Sequence, residues 1–217
     1  MSGRSDAGVP GGDTRRFDAF LCDLDGVLRI WDQDLWPSIE KRNGLQPGAL
    51  YAAAFQADLL LPPVLGQISD DEWRLSVAKE LAGEYGIERA VAAVADWSAP
   101  IGRVNPAAVA VVERARSAGI RTVMVTNATS RLDRDLAALG LDEVVDAVVN
   151  SSRIGAVKPD PQIYLHAAEV GAAKPERCLF VDDTAANVAG AEAVGMTALL
   201  YTGTGVLPEI AAMLGLT

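Results

Sequence analysis

The chain is short of positive charge: 19 lysines and arginines stand against 29 aspartates and glutamates, for a formal charge of −10. That balance argues against nucleic acid as a partner, because affinity for a phosphate backbone rests on clustered Lys and Arg. A small phosphorylated compound stays open, since it needs only one or two local cations and some backbone N–H groups. Missing too is any apolar run of the ~20 residues that span a bilayer, so no membrane partner is expected. Cysteine occurs only at positions 22 and 178. Cys22 reads as the end of one strand and Cys178 as the start of another. If those strands lie parallel, the offset is on the order of 10 Å, too far for a disulfide. Buried free thiols then point to a reducing, cytoplasmic setting. Arg15-Arg16 superficially resembles an export signal, but FDAFLCDLDG follows, with charge where a signal needs apolar residues. The single histidine, His166, falls in the helical pattern IYLHAAEV and reads as a helix-surface residue.

Half of the residues are hydrophobic and 22% are charged, the balance of a globular chain. Residues 1–16 are rich in Gly, Ser and Asp and read as a disordered tail. From Phe17 onward, β-type runs alternate with helical patterns. FDAFLCD, RTVMVTN, DAVVNS, RCLFVDD and MTALLYT read as strands. Asn105-Pro106 and Asp160-Pro161 each place a capping residue before a helix-starting proline, and TAANVAGAEAVG reads as a further helix. Such alternation predicts an α/β, Rossmann-like parallel sheet with helices on both faces. Ligands of these sheets bind outside the carboxyl ends of the strands, which is where Asp23 and Asp25, Thr126 and Asn127, and Asp182 and Asp183 fall.

Residues 30–104 break the alternation. IEKRNGL, GALYAAAFQADLLL and DDEWRLSVAKELAGEYG have helical spacing, so this stretch is expected to be an all-helical insert in a core made of residues 17–29 and 105–217. Trp31, Trp36, Trp73 and Trp97 fall in or beside the insert, where they can line a cleft or pack the insert on the core. AAFQADLLLPPVLG suits insert core and dimer surface equally, so both monomer and homodimer stay open.

Asp23-Leu24-Asp25-Gly26 sets two like charges one residue apart, which raises the cost of both unless a cation or a reaction uses them. Alternate side chains at a strand end share a face, so both can point into one cleft, one as nucleophile and the other as general acid and base. Asp182-Asp183 ends another buried run. With Asp23 it can hold a hard cation through oxygen, and magnesium suits few carboxylates and a phosphate. Thr126-Asn127 offers a hydroxyl, an amide and N–H groups to a phosphate. Lys158 is kept out of helical geometry by Pro159, which lets its ammonium reach back over the sheet.

In order and spacing, DLDGV, VTN, KPDPQIY and VDDTAAN resemble the four motifs of the haloacid dehalogenase superfamily of phosphotransferases and hydrolases. The resemblance covers Phe17 to Thr217 and implies roles. Asp23 would be the nucleophile that becomes an aspartyl-phosphate, and Asp25 the acid that protonates the leaving oxygen and then activates water. Thr126 and Lys158 would hold phosphoryl oxygens, with Asn127 beside them. Mg2+ would lie between Asp23, the Asp25 carbonyl and Asp183, with Asp182 in the second layer and Asn187 bracing the acidic loop. The activity so implied is magnesium-dependent hydrolysis of a small phosphorylated metabolite under a helical cap. Three alternatives share the core: a phosphomutase, for which Lys41, Arg42 and Arg74 form no recognisable sugar clamp; a 2-haloacid dehalogenase, which needs neither metal nor Asp25; and a non-catalytic phosphate-binding or regulatory protein.

Overall fold

The computed structural model describes residues 15–216; most of the expected tail, residues 1–14, lies outside them. The chain enters through β1 (Ala19–Cys22) and a short strand β2 (Arg29–Ile30), then forms five helices: α1 (Leu35–Asn43), α2 (Ala49–Phe55), α3 (Ala57–Val64), α4 (Asp70–Tyr85) and α5 (Ile87–Ser98). It returns through β3 (Arg103–Val104) to α6 (Pro106–Ser117), β4 (Arg121–Thr126), α7 (Leu132–Leu139), β5 (Ala147–Asn150) and α8 (Ser151–Ile154). The remainder is α9 (Pro161–Val170), β6 (Cys178–Asp182), α10 (Ala185–Ala193), β7 (Thr197–Leu200) and α11 (Leu207–Met213).

The main sheet has the order β5-β4-β1-β6-β7 and every pairing is parallel. All five strands fall in the runs read from the sequence as strands. Their side chains alternate between two cores, as the period of two requires. Phe20, Cys22, Met124, Leu179 and Val181 pack one face against α6, α7 and α11. Leu21, Val123, Val125 and Phe180 pack the other against Ile163, Tyr164 and Ala167 of α9 and Ala191 of α10. Asn105 accepts from the Ala108 N–H, and Asp160 from the Gln162 N–H, so both caps form where the Asn-Pro and Asp-Pro pairs place them. Cys22 pairs with Val181 while Cys178 pairs with Ala19 across the same ladder, a three-residue offset, and both thiols are free and buried. His166 is exposed. Among the described residues no helix is long and apolar enough to cross a membrane.

The helical insert has its own core of Ile39, Leu50, Trp73, Val77, Leu81 and Trp97. Two local features differ from the sequence reading. The insert is joined to the sheet through a two-stranded antiparallel ribbon, β2 with β3; two residues per strand are too few to show any alternation. GALYAAAFQADLLL is broken at Gln56, whose extended backbone ends α2 and begins α3. Gly102 at the ribbon has φ +80°, and a Cβ there would meet the Arg29 side chain at 2.8 Å. Glycine is what lets that arginine pass toward the core.

Candidate active site

β1, β4 and β6 end side by side, which gathers three motifs at one sheet edge. Asp23 follows β1 directly; its N–H donates to Val181 O and its Oδ1 accepts from the Leu24 N–H at 2.7 Å. Asp182 is the last residue of β6 and is fully buried. Lys158 arrives from the loop before α9 and places Nζ 2.8 Å from Asp23 Oδ1 and 2.6 Å from Asp182 Oδ2. Asn127, just beyond β4, holds the lysine's backbone from both sides: Oδ1 accepts from the Lys158 N–H at 2.7 Å and Nδ2 donates to Lys158 O at 2.9 Å. Its amide thus faces the lysine, while Thr126, buried at the end of β4, lines the cleft directly.

The two acids of the second pair differ sharply. Asp182 accepts from Lys158 Nζ, from the Thr184 N–H at 2.8 Å and from Asn187 Nδ2 at 3.0 and 3.1 Å. Asn187 is itself held, since its carbonyl accepts from Tyr164 Oη at 2.8 Å. Asp183 is exposed and, among the described residues, accepts only from Thr184 Oγ1, at 3.2 Å. Its carboxylate lies over Gly26, where an added Cβ would overlap it.

Ligand oxygens of Asp23, Asp182 and Asp183 lie within 4.8 Å of one another. With Lys158 the cluster carries three formal negative charges against one positive. Burial raises Asp23, to about 7, with Asp182 adding to the rise and Lys158 opposing it. Burial likewise raises Asp183, with help from Asp182. Burial works against the Lys158 charge, but the two carboxylates outweigh it and hold its pKa above the ordinary lysine value. An oxygen-only donor set with two surplus negative charges fits a hard divalent cation, and Asp183 is the acid with free oxygen to offer.

Asp25 lines the same cleft but has other partners. Arg29 grips it with Nε on Oδ1 at 2.7 Å and Nη2 on Oδ2 at 2.8 Å, and Trp31 Nε1 donates to Oδ1 at 2.6 Å. Arg29 also reaches Asp135 at 3.5 Å. The sequence reading passed over this arginine, although its place four residues after Asp25 is the signal of a local ion pair. It also passed over Asp70, whose carboxylate accepts from Thr129 Oγ1 at 2.7 Å and so ties α4 to the loop after β4. Arg131 Nη1 donates to Ser98 O at 2.7 Å and ties the same loop to the end of α5.

The cleft in front of these groups has a volume of about 850 Å3 and is lined by Asp23, Asp25, Thr126, Lys158 and Asp183 from the core and by Phe55, Leu60 and Val64 from the insert. The parallel sheet thus gathers an acidic cluster and a buried lysine at one edge. Residues 17–195 match the family model of haloacid dehalogenase-like hydrolases, and the chain belongs to that family. It is 38% identical over 96 residues to a phosphatase of Mycobacterium tuberculosis, covering 43% of this chain and 44% of that protein. It is 30% identical over 152 residues to the human haloacid dehalogenase-like hydrolase domain-containing protein 3, covering 66% of this chain and 61% of that one. The chain thus spans about half the length of these curated relatives. A HAD family enzyme of Bacteroides thetaiotaomicron, solved with magnesium and inorganic phosphate, superposes with a TM-score of 0.69 over 85% of this chain and 93% of that one. Its identity is 18%, so that likeness concerns the fold.

Proposed function

We propose that the protein is a magnesium-dependent phosphatase that hydrolyses a small phosphorylated metabolite through an aspartyl-phosphate. The observation that carries this reading is the meeting of Asp23, Asp182 and Asp183, drawn from β1 and β6, with the buried Lys158 at one sheet edge. An Asp23 carboxylate oxygen attacks phosphorus in line with the ester oxygen, and the P–O bond to the leaving group breaks as Asp25, protonated and released from Arg29 and Trp31, gives that oxygen a proton. Asp25 then takes a proton from water, whose oxygen attacks the phosphoryl-aspartate, frees Asp23 and yields orthophosphate. Lys158 and Thr126 hold the non-bridging oxygens, and Asn127 fixes Lys158. Asp23, the Asp25 carbonyl and Asp183 would hold Mg2+, which would supply charge neutralisation at the phosphoryl oxygens. Asp182 orients Lys158 and the acidic loop.

The helical segment between the two ribbon strands acts as a cap that keeps water from the cleft. Two buried free thiols fit a reducing, cytoplasmic setting. A screen of phosphorylated metabolites with and without Mg2+ tests the reading. Turnover that needs Mg2+ and falls by at least about 10³-fold in Asp23→Asn supports it. Halide release from 2-chloropropionate, sugar-phosphate isomers in place of orthophosphate, or no turnover at all would each sink it.

A further inference from the structure

A second cavity, of about 260 Å3, opens beside the catalytic cleft on the insert's side. Asp25, Trp31, Phe55, Leu60, Val64 and Asn127 line both, so the two spaces adjoin. All four tryptophans of the chain line the second cavity. The Trp97 ring is 5.0 Å from that of Trp73 in an edge-to-face contact and 5.4 Å from that of Trp36, centroid to centroid. A dry apolar cavity of ~150 Å3 takes a benzene, so this one has room for a ring with a short substituent or for two fused rings.

Its charges cancel in pairs. Arg29 is 2.7 Å from Asp25, Arg74 is 2.6 Å from Asp70 and Arg131 is 2.9 Å from Asp135. The Arg74 guanidinium also lies over the Trp97 ring, 4.2 Å from its centroid. Among the described residues no other charged side chain lines the cavity. A carboxylate or a second phosphate entering it would lose its water and find every cation already matched. Trp73 Nε1 is buried without a hydrogen-bond partner among the described residues.

We infer that this cavity receives the leaving group of the substrate, and that this group is an uncharged aromatic alcohol, the substrate being an arylalkyl phosphate monoester. The phosphate end of the inference rests on the phosphatase reading; the ring end rests on the cavity alone.

Benzyl phosphate, ethyl phosphate and phosphoglycolate release alkoxides of similar basicity, so their kcat/KM values compare the cavity's fit and not chemical activation. Benzyl phosphate is expected to exceed ethyl phosphate by on the order of 50-fold, from burial of one ring, with phosphoglycolate no better than ethyl phosphate. Phe55→Ala, at a side chain 41% exposed, and Trp73→Leu should each bring the benzyl-to-ethyl ratio toward one. Equal benzyl and ethyl values, or phosphoglycolate ahead of both, would overturn the inference. Benzylphosphonate, which is not hydrolysed, is titrated separately against tryptophan emission. A saturable change that methylphosphonate does not produce supports the ring site, even in a chain that hydrolyses none of the three esters, in which case the phosphatase reading fails alone. No change in emission removes the ring from the cavity whatever the turnover.

Discussion

In the cleft at the strand ends, three carboxylates of Asp23, Asp182 and Asp183 face a single ammonium, whereas in the cavity under the insert each of three aspartates has its own guanidinium. The two spaces share a wall, so the contrast is not one of depth or solvent. It comes from where the residues originate. Parallel strands end at one edge and bring their terminal acids together whether or not a cation is at hand. The paired charges of the neighbouring cavity are all i,i+4 partners, Arg29 with Asp25, Arg74 with Asp70 and Arg131 with Asp135, so each acid has a cation close by in sequence. Unbalanced charge must be completed from solution, and that is where the proposed metal and phosphate would sit. Balanced charge asks for nothing more, and the space beside it suits a neutral group.

The largest break in this comparison is removal of the one cation from the unbalanced side. Lys158→Met leaves two buried carboxylates facing each other, and losing a buried partner costs about 3 kcal/mol or more. Thermal unfolding should show that loss, and turnover should fall by at least about 10²-fold if Lys158 is the proposed phosphoryl-oxygen donor. Because the surplus charge grows, added Mg2+ should raise the melting temperature of the variant more than that of the wild type. An equal Mg2+ response in the two proteins would mean that the acidic cluster is not what the ion binds.

A smaller and sharper test uses space in place of charge. Gly26 has φ +80°, and any Cβ there would overlap the Asp183 carboxylate. Gly26→Ala should therefore weaken Mg2+ affinity by about 10-fold or more through the displaced Asp183, with a stability loss of about 1–3 kcal/mol from the strained backbone. Gly83 in α4 has nothing within 4 Å of an added Cβ. Gly83→Ala is the matched control: it should stabilise by up to ~1 kcal/mol and leave the Mg2+ titration unchanged.

What the sequence made legible follows the same division. The five strands and the gathering of Asp23, Thr126, Lys158 and Asp182 could be read because parallel-sheet strands are continuous apolar runs whose ends carry the polar residues. The different environments of Asp182 and Asp183 could not be derived from two adjacent letters; they arise from the direction of each side chain at the end of β6. The aromatic cavity was out of reach for a similar reason. Trp31, Trp36, Trp73 and Trp97 were visible as residues, but their convergence depends on how α1, α4 and α5 cross, and helix spacing alone does not encode crossing angles. The β2–β3 ribbon was missed because two-residue strands carry no period.

The smallest expected effect contrasts the site with the other end of the same sheet. Asp146 precedes β5, accepts from the Thr122 N–H at 2.9 Å and Thr122 Oγ1 at 3.0 Å, and pairs with Arg116 at 2.8 Å. Burial works against its charge, but these donors prevail and hold its pKa below the ordinary 3.8. Asp23 shifts the opposite way, so the cost of its buried charge is relieved as pH falls through about 7. A lowered carboxylate gives stability that is fully present above 3.8 and disappears as pH drops through its folded value. Asp146→Asn should thus cost about 1 kcal/mol at neutral pH, kept small by partial solvent screening. The difference from wild type should shrink on acidification below 3.8, with turnover unaffected. Unfolding curves across the acid range measure this; a gap that widens toward low pH would mean that Asp146 is held by geometry and not by its charge.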